Sequence, residues 1–220
     1  MLQVLGDLLP YAVPVALSPL PVIAVVMLLL APAGARGGFG LLAGRVATLG
    51  ALAFVVALLA GRLGGEPGGA DRGAWLRIAF GCLLVVGAAV VWRRRPRGGT
   101  PAIPGWMRRL DAASASAAVR IGALVTVINL KELALAAGAG MIIGAVELPV
   151  GQALALAVIF AGLAGLGVAL PLFWALAAGA SARGRLAALR DWLVGNQPAL
   201  IAAVLVVIGT MLIGSGLESL

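Results

Sequence analysis

The sequence predicts an all-α integral membrane protein of six transmembrane helices. They form two inverted three-helix repeats, N-out and C-out, with the first and fourth helices broken near the midplane. Three observations carry this: a chain poor in charge, six apolar runs of spanning length, and basic residues gathered in alternate connections. Of 220 residues, 62% are hydrophobic and 11% charged, at a mean hydropathy of +1.12. A soluble domain is about 25% charged, so this chain has no soluble surface to offer.

The apolar runs are roughly Leu8–Leu30, Phe39–Ala60, Trp75–Trp92, Ile121–Val146, Gln152–Ala178 and Pro198–Gly214, each near the ~20 residues that cross a bilayer as a helix. Between the third and fourth lie Arg93, Arg94, Arg95, Arg97, Arg108, Arg109 and Arg120; between the fifth and sixth lie Arg183, Arg185 and Arg190. The other connections hold Arg62, Arg72 and Arg77 diluted by Glu66 and Asp71, and Glu147 alone. Positive-inside bias puts the basic connections in the cytoplasm. Residues 1–97 then make one repeat, 98–120 a basic linker at the cytoplasmic interface, and 121–220 a second repeat of opposite orientation. The plan is that of a multi-pass protein of the cell membrane. Its net charge of +8 serves topology and anionic lipid rather than nucleic acid.

Two stretches interrupt the apolar pattern at corresponding places. The first span carries Pro14, Ser18, Pro19 and Pro21 in PVALSPLPV. An interior proline removes a backbone hydrogen bond and crowds the carbonyl four residues earlier. Pro19 and Pro21 are therefore expected to free the carbonyls of Val15 and Leu17, which inside a membrane need protein, water or ligand as partners. The fourth span carries Asn129, Lys131 and Glu132 in TVINLKELALAA. A charge at mid-bilayer costs roughly 2.5–3.5 kcal/mol on insertion scales, so these residues face an interior or a cavity. Neighbours on a helix point about 100° apart, so Lys131 and Glu132 need separate partners. Asn129, one turn away, suits Glu132; the freed carbonyls of the first span suit Lys131. The pair is read as a charge-compensated switch able to couple transport to protons.

Arg45, on the second span, has two readings. It snorkels to the cytoplasmic face, which is favoured because long basic side chains near helix ends do so, or it points inward to Glu132. The substrate or ion pathway is thus assigned to Ser18, Pro19, Pro21, Asn129, Lys131, Glu132 and Arg45. Gly40, Gly44 and Thr48, then Gly140 and Gly144, then Ala161 and Gly165 are small-residue ridges for close helix packing. Pro171 is expected to kink the fifth span. PGWMRRLDAASASAAVR and RGRLAALRDWL read as solvated or interfacial connectors, Gly98–Pro104 as a flexible joint, and Gly64–Gly73 as an exposed loop.

The chain has no histidine and one cysteine, Cys82. Imidazole relays, paired thiols and a Ser-His-Asp set are therefore absent, and no carboxylate pair is available for acid–base work. Glu132 is the only carboxylate clearly inside a span, so metal ligation is not expected. There is no phosphate-cradling P-loop. The chain is read as no enzyme and as needing no cofactor or metal.

The segments ALSPLPVIAVVMLLLAP, WRRRPR, PGWMRRLD, INLKELALAAGAG and WLVGNQPALIAAVLVVIGTMLIGSGL resemble, in order over nearly the whole chain, the GAP family of the LysE transporter superfamily. That family is named for proteins that address glycopeptidolipid or sulfolipid to the cell surface. The resemblance implies six spans in inverted repeats and export of a lipid, glycolipid or small metabolite. The family pattern in the fourth span is Asn-Pro-Lys, usually followed by Asn. Asn129 and Lys131 match it, while Leu130 replaces the proline and Glu132 the residue after lysine. A break milder than in relatives, and lesser than that of the first span, is therefore expected there, because Leu130 can donate a backbone hydrogen bond where proline cannot. The alternative is a non-transporting scaffold in an envelope-lipid synthesis or export complex. Expected partners are membrane lipids, the lipid or metabolite substrate, and either further copies of the chain or an envelope-lipid export machinery.

Overall fold

A computed structural model describes residues 2–63, 70–93, 114–146 and 148–218. The regular elements among them are helical: α1 (Leu2–Ala16), α2 (Pro19–Leu30), α3 (Gly34–Leu63), α4 (Ala70–Arg93), α5 (Ala115–Val127), α6 (Leu130–Ala145), α7 (Val150–Ala178) and α8 (Ala182–Leu217), with a 3-10 turn over Gly179–Ser181. The Gly98–Pro104 joint, the PGWMRRLD segment and most of the Gly64–Gly73 loop lie outside the described residues.

Among the described residues three helices are long and apolar enough to cross a membrane: α3 over Gly34–Ala60, α7 and α8. Gln3–Ala16 with Pro19–Leu30, bent by 55°, and Ala115–Val127 with Leu130–Ala145, bent by 79°, each suffice if taken as one broken span. That makes up to five spans among the described residues, beside the shorter apolar stretch Gly81–Arg93 of α4. The chain is a multi-pass membrane protein.

Several boundaries differ from the sequence reading. The first span begins at Leu2 and the second at Gly34: residues 2–7 are helical despite Asp7, and Gly34, at φ 50°, makes the left-handed turn that starts α3 ahead of Phe39. The sixth run is not a helix of its own. α8 takes up the RGRLAALRDWL connector and passes through Pro198 without ending, since that connector is rich in Leu, Ala and Arg, good helix formers. α7 likewise continues through Pro171.

The chain divides into two compact units. The first comprises Met1–Arg62 and Ala102–Gly195, the second Leu63–Pro101 and Asn196–Leu220. Within the second, α4 and the end of α8 cross at paired glycines: a Cβ on Gly81 would lie 2.6 Å from the Gly209 carbonyl.

The first unit is built around α3. Gly40 and Gly44 lie against the backbone of α5 at Ala115 and Val119, and Gly122 of α5 meets Leu41 in return. Gly140 and Gly144 of α6 abut the carbonyls of Ala53 and Ala57, and Gly165 of α7 faces Val46. The contacts at Gly40, Gly44, Gly122, Gly140 and Gly144 are with backbone and need a residue without Cβ, so these small-residue ridges do pack helix backbones together, whereas Gly165 meets side-chain methyls. On the opposite side Gly167 of α7 meets the backbone of Ala16 at the end of α1, and Gly138 of α6 receives the Tyr11 ring. These two contacts, which the ridge pattern did not flag, press α1 against α6 and α7.

Candidate functional site

Both breaks form by one local rule: a helix ends, an extended residue follows, and a new helix starts. At the first, Ser18 takes φ −65° and ψ 119°, the conformation forced on a residue that precedes proline. Pro19 and Pro21 occupy the first turn of α2, where backbone N–H groups have no helical acceptor to lose. The prolines therefore start a helix rather than interrupt one. Turning out of the helix, the Ser18 amide donates to the Val15 carbonyl at 3.2 Å instead of to Pro14. The carbonyl of Pro14 loses its helical partner, and that of Val15 loses the one Pro19 cannot supply.

At the second break Asn129 is extended (φ −90°, ψ 90°) and caps α6. Its carbonyl accepts from the amides of Glu132 at 2.8 Å and Leu133 at 3.1 Å. The expectation of a lesser break here than in the first span is overturned, since α5 and α6 bend by 79° against 55° at the first. Leu130 is the first residue of α6, where a backbone amide has no intrahelical acceptor, so its ability to donate goes unused. The missing proline therefore does nothing to straighten the chain.

The two breaks meet. The Asn129 side-chain amide donates to Ser18 Oγ at 3.4 Å and to Glu132 Oε1 at 3.0 Å. Arg45 Nη1 pairs with Glu132 Oε2, and Nη2 donates to the Val15 carbonyl at 2.9 Å. Lys131 Nζ donates to the Pro14 carbonyl at 3.4 Å. Ser18, Asn129, Lys131, Glu132 and Arg45 thus form one cluster over α1, α3 and α6, with Pro19 and Pro21 buried at the base of α2. The freed carbonyl that takes Lys131 is Pro14, not Val15 or Leu17 as expected; Val15 goes to Arg45. Pro14 was legible only as a kink, because the shift of Ser18 onto Val15 has no mark in sequence.

The favoured reading of Arg45 is also corrected. It does not snorkel: it is 1% exposed and Glu132 0%. With α3 starting at Gly34 rather than Phe39, Arg45 stands eleven residues inside, ~16 Å at 1.5 Å per residue, and its side chain cannot reach the helix end. Two cations against one carboxylate leave the cluster one positive charge. Since Arg45 and Glu132 neutralise each other, that charge rests on Lys131, the chain's single lysine. Arg45 Nε has no partner among the described residues. The amino ends of α2 and α6 add partial positive charge at the same place.

Fold and site together define a multi-pass helical membrane protein in which two broken helices meet at a buried ion pair with a spare cation. The family model described as "Sap, sulfolipid-1-addressing protein" matches residues 8–218. The chain belongs to that family, in agreement with the resemblance drawn from its sequence. Searches among curated proteins and solved structures find no match.

Proposed function

We propose that the protein is a gradient-driven exporter of a lipid or glycolipid with an anionic headgroup, a sulfolipid or phospholipid being the chemical type. Membership of a sulfolipid-addressing family supports the lipid. The observation that carries the headgroup is the charge pattern: Arg45 and Glu132 compensate each other, and Lys131 holds a single 3.4 Å bond to a backbone carbonyl. An ammonium so weakly engaged is ready to exchange Pro14 for a sulfate or phosphate, while the tails stay among the helices. A metabolite carboxylate would use the same cation.

In this reading the spans form six helices in two inverted three-helix repeats of the LysE type, in the plasma membrane with both termini outside. Placing the site where two broken helices meet suits such repeats. The chain does no covalent chemistry. The gradient acts at Glu132, whose carboxylate leaves Arg45 when it takes a proton and so frees α3 from the second break, while Arg45 stays on the Val15 carbonyl of the first.

The test is efflux of a labelled sulfolipid or phospholipid from proteoliposomes holding the purified chain alone. Lys131→Ala is expected to remove flux while leaving the protein folded, because the lysine is only partly buried and its one contact is weak. Wild-type flux in Lys131→Ala would overturn the headgroup assignment. Absence of flux with the native chain, across anionic and neutral lipids, would favour the scaffold instead.

A further inference from the structure

The far end of α2 leads to a cavity that the central cluster does not use. About 130 Å³ lies where α2 ends, α3 begins, α7 ends and α8 begins, bounded by Leu29, Ala35, Leu176, Gly179, Arg183 and Leu186. Leu29 is ten residues beyond Pro19, ~15 Å along α2, so this is a separate place. Its volume equals that of about four waters at ~30 Å³ each, room for one tetrahedral oxyanion.

Its charge comes from side chains. Two helices end there and two begin, so their terminal dipoles offset one another. Arg183 lines the cavity, and no lining residue is acidic. Among the described residues the ion pairs are Arg45–Glu132 and Arg190–Asp191, which leaves the Arg183 guanidinium without a carboxylate. Arg183 is therefore the cation of this cavity.

The walls distinguish a lipid from a free anion. Leu29, Leu176 and Leu186 are apolar, and Leu176 continues an exposed apolar strip on α7. Leu166, Leu170, Phe173 and Leu176 are 45%, 66%, 55% and 48% exposed, at spacings of four and three that put them on one helix face. The strip runs ~15 Å from the cavity. We propose that this corner binds the phosphodiester headgroup of an anionic membrane lipid, with Arg183 on the phosphate and an acyl chain along the α7 strip. The site does not depend on the export reading.

The test uses the full chain in mild detergent, titrated with phosphatidylglycerol, phosphatidylcholine or inorganic phosphate and read by native mass spectrometry. Phosphatidylglycerol should bind in preference to phosphatidylcholine, whose choline cancels the phosphate charge that Arg183 would meet. Arg183→Ala should weaken it about fivefold, the usual effect of one basic residue at an anionic surface. Ala175 also lines the cavity, and Ala175→Phe, which fills it without changing charge, should do the same. Lys131→Ala should leave this binding unaltered, so loss of export and loss of this site are separable. Native phosphatidylglycerol binding in both Arg183→Ala and Ala175→Phe would overturn the proposal. So would displacement of the lipid by equimolar inorganic phosphate, which would make this a free-anion site.

Discussion

The two broken helices reach the same geometry by opposite means. At Ser18 the break is dictated by the backbone: proline forbids the helix, and the carbonyls it orphans are satisfied from elsewhere, by Arg45 and Lys131. At Asn129 no proline is present, yet the bend is larger, 79° against 55°, and the restarting helix is capped from within by Asn129 and Glu132. Lys131 of the second break and Arg45 of α3 thus complete the backbone of the first. A proline fixes where a helix must stop, but the bend depends on how the next helix is started and what it packs against.

The largest expected effect follows from this dependence. Glu132→Ala would leave the Arg45 guanidinium buried with only the Val15 carbonyl, at a cost of about 3–5 kcal/mol by the measure of other broken buried pairs. Thermal unfolding in detergent should show it as a large fall in Tm. Arg45→Met combined with Glu132→Leu should recover most of that loss, since apolar replacements of a whole buried pair are often neutral. If the double variant is no more stable than Glu132→Ala, the pair does more than neutralise charge.

Next comes a change that touches the first break alone. The Cβ of a Gly167→Ala variant would overlap the Ala16 carbonyl, which backbone cannot yield cheaply, so a loss of about 1–3 kcal/mol is expected. Gly162→Ala, with nothing within 4 Å of its new Cβ, should instead gain up to ~1 kcal/mol from helix propensity. Equal Tm shifts in the two would mean that α1 is not seated on α7 at Gly167.

A smaller loss is expected where the breaks touch. Asn129→Ala removes the amide from Ser18 and from Glu132 but leaves Arg45 on the carboxylate, so about 0.5–1.5 kcal/mol should go, the net value of an ordinary hydrogen bond. Ser18→Ala should lose less, because its bond to Asn129 is 3.4 Å long. A Ser18→Ala variant less stable than Asn129→Ala would reverse the order of the two caps.

Much of this site was legible in the sequence because charge and proline are unambiguous inside an apolar run. The position of the first break and the Asn129–Glu132 contact follow from residue type and helical spacing, while the approach of the first span to the fourth follows from their interruptions at corresponding places. What escaped depended on helix ends. Arg45 was misjudged because the run from Phe39 looked like the whole span, whereas Gly34–Gly38 extend it and carry Arg45 out of snorkelling range. The α8 connector was read as a separate element because arginines mark membrane borders but do not end helices. Lys131 was matched to the wrong carbonyl, since a one-residue shift in backbone bonding has no trace in side-chain pattern.

The smallest effect gives the sharpest comparison of the two breaks. If α6 truly restarts at Leu130, a proline there should behave as Pro19 does at the start of α2. Asn129 is already extended, as a residue before proline must be, and the amide at the first helical position has no acceptor to lose. Leu130 is 79% exposed, so its side chain fills no core. Leu130→Pro should therefore change stability by less than ~1 kcal/mol, with a slight gain from the stiffer unfolded chain. Leu133→Pro, three residues on, would delete the amide that bonds the Asn129 carbonyl at 3.1 Å and should cost about 3 kcal/mol or more. Unfolding of the two variants side by side decides the matter. A loss in Leu130→Pro as large as in Leu133→Pro would mean that the chain is helical through Leu130, and that the second break is not built like the first.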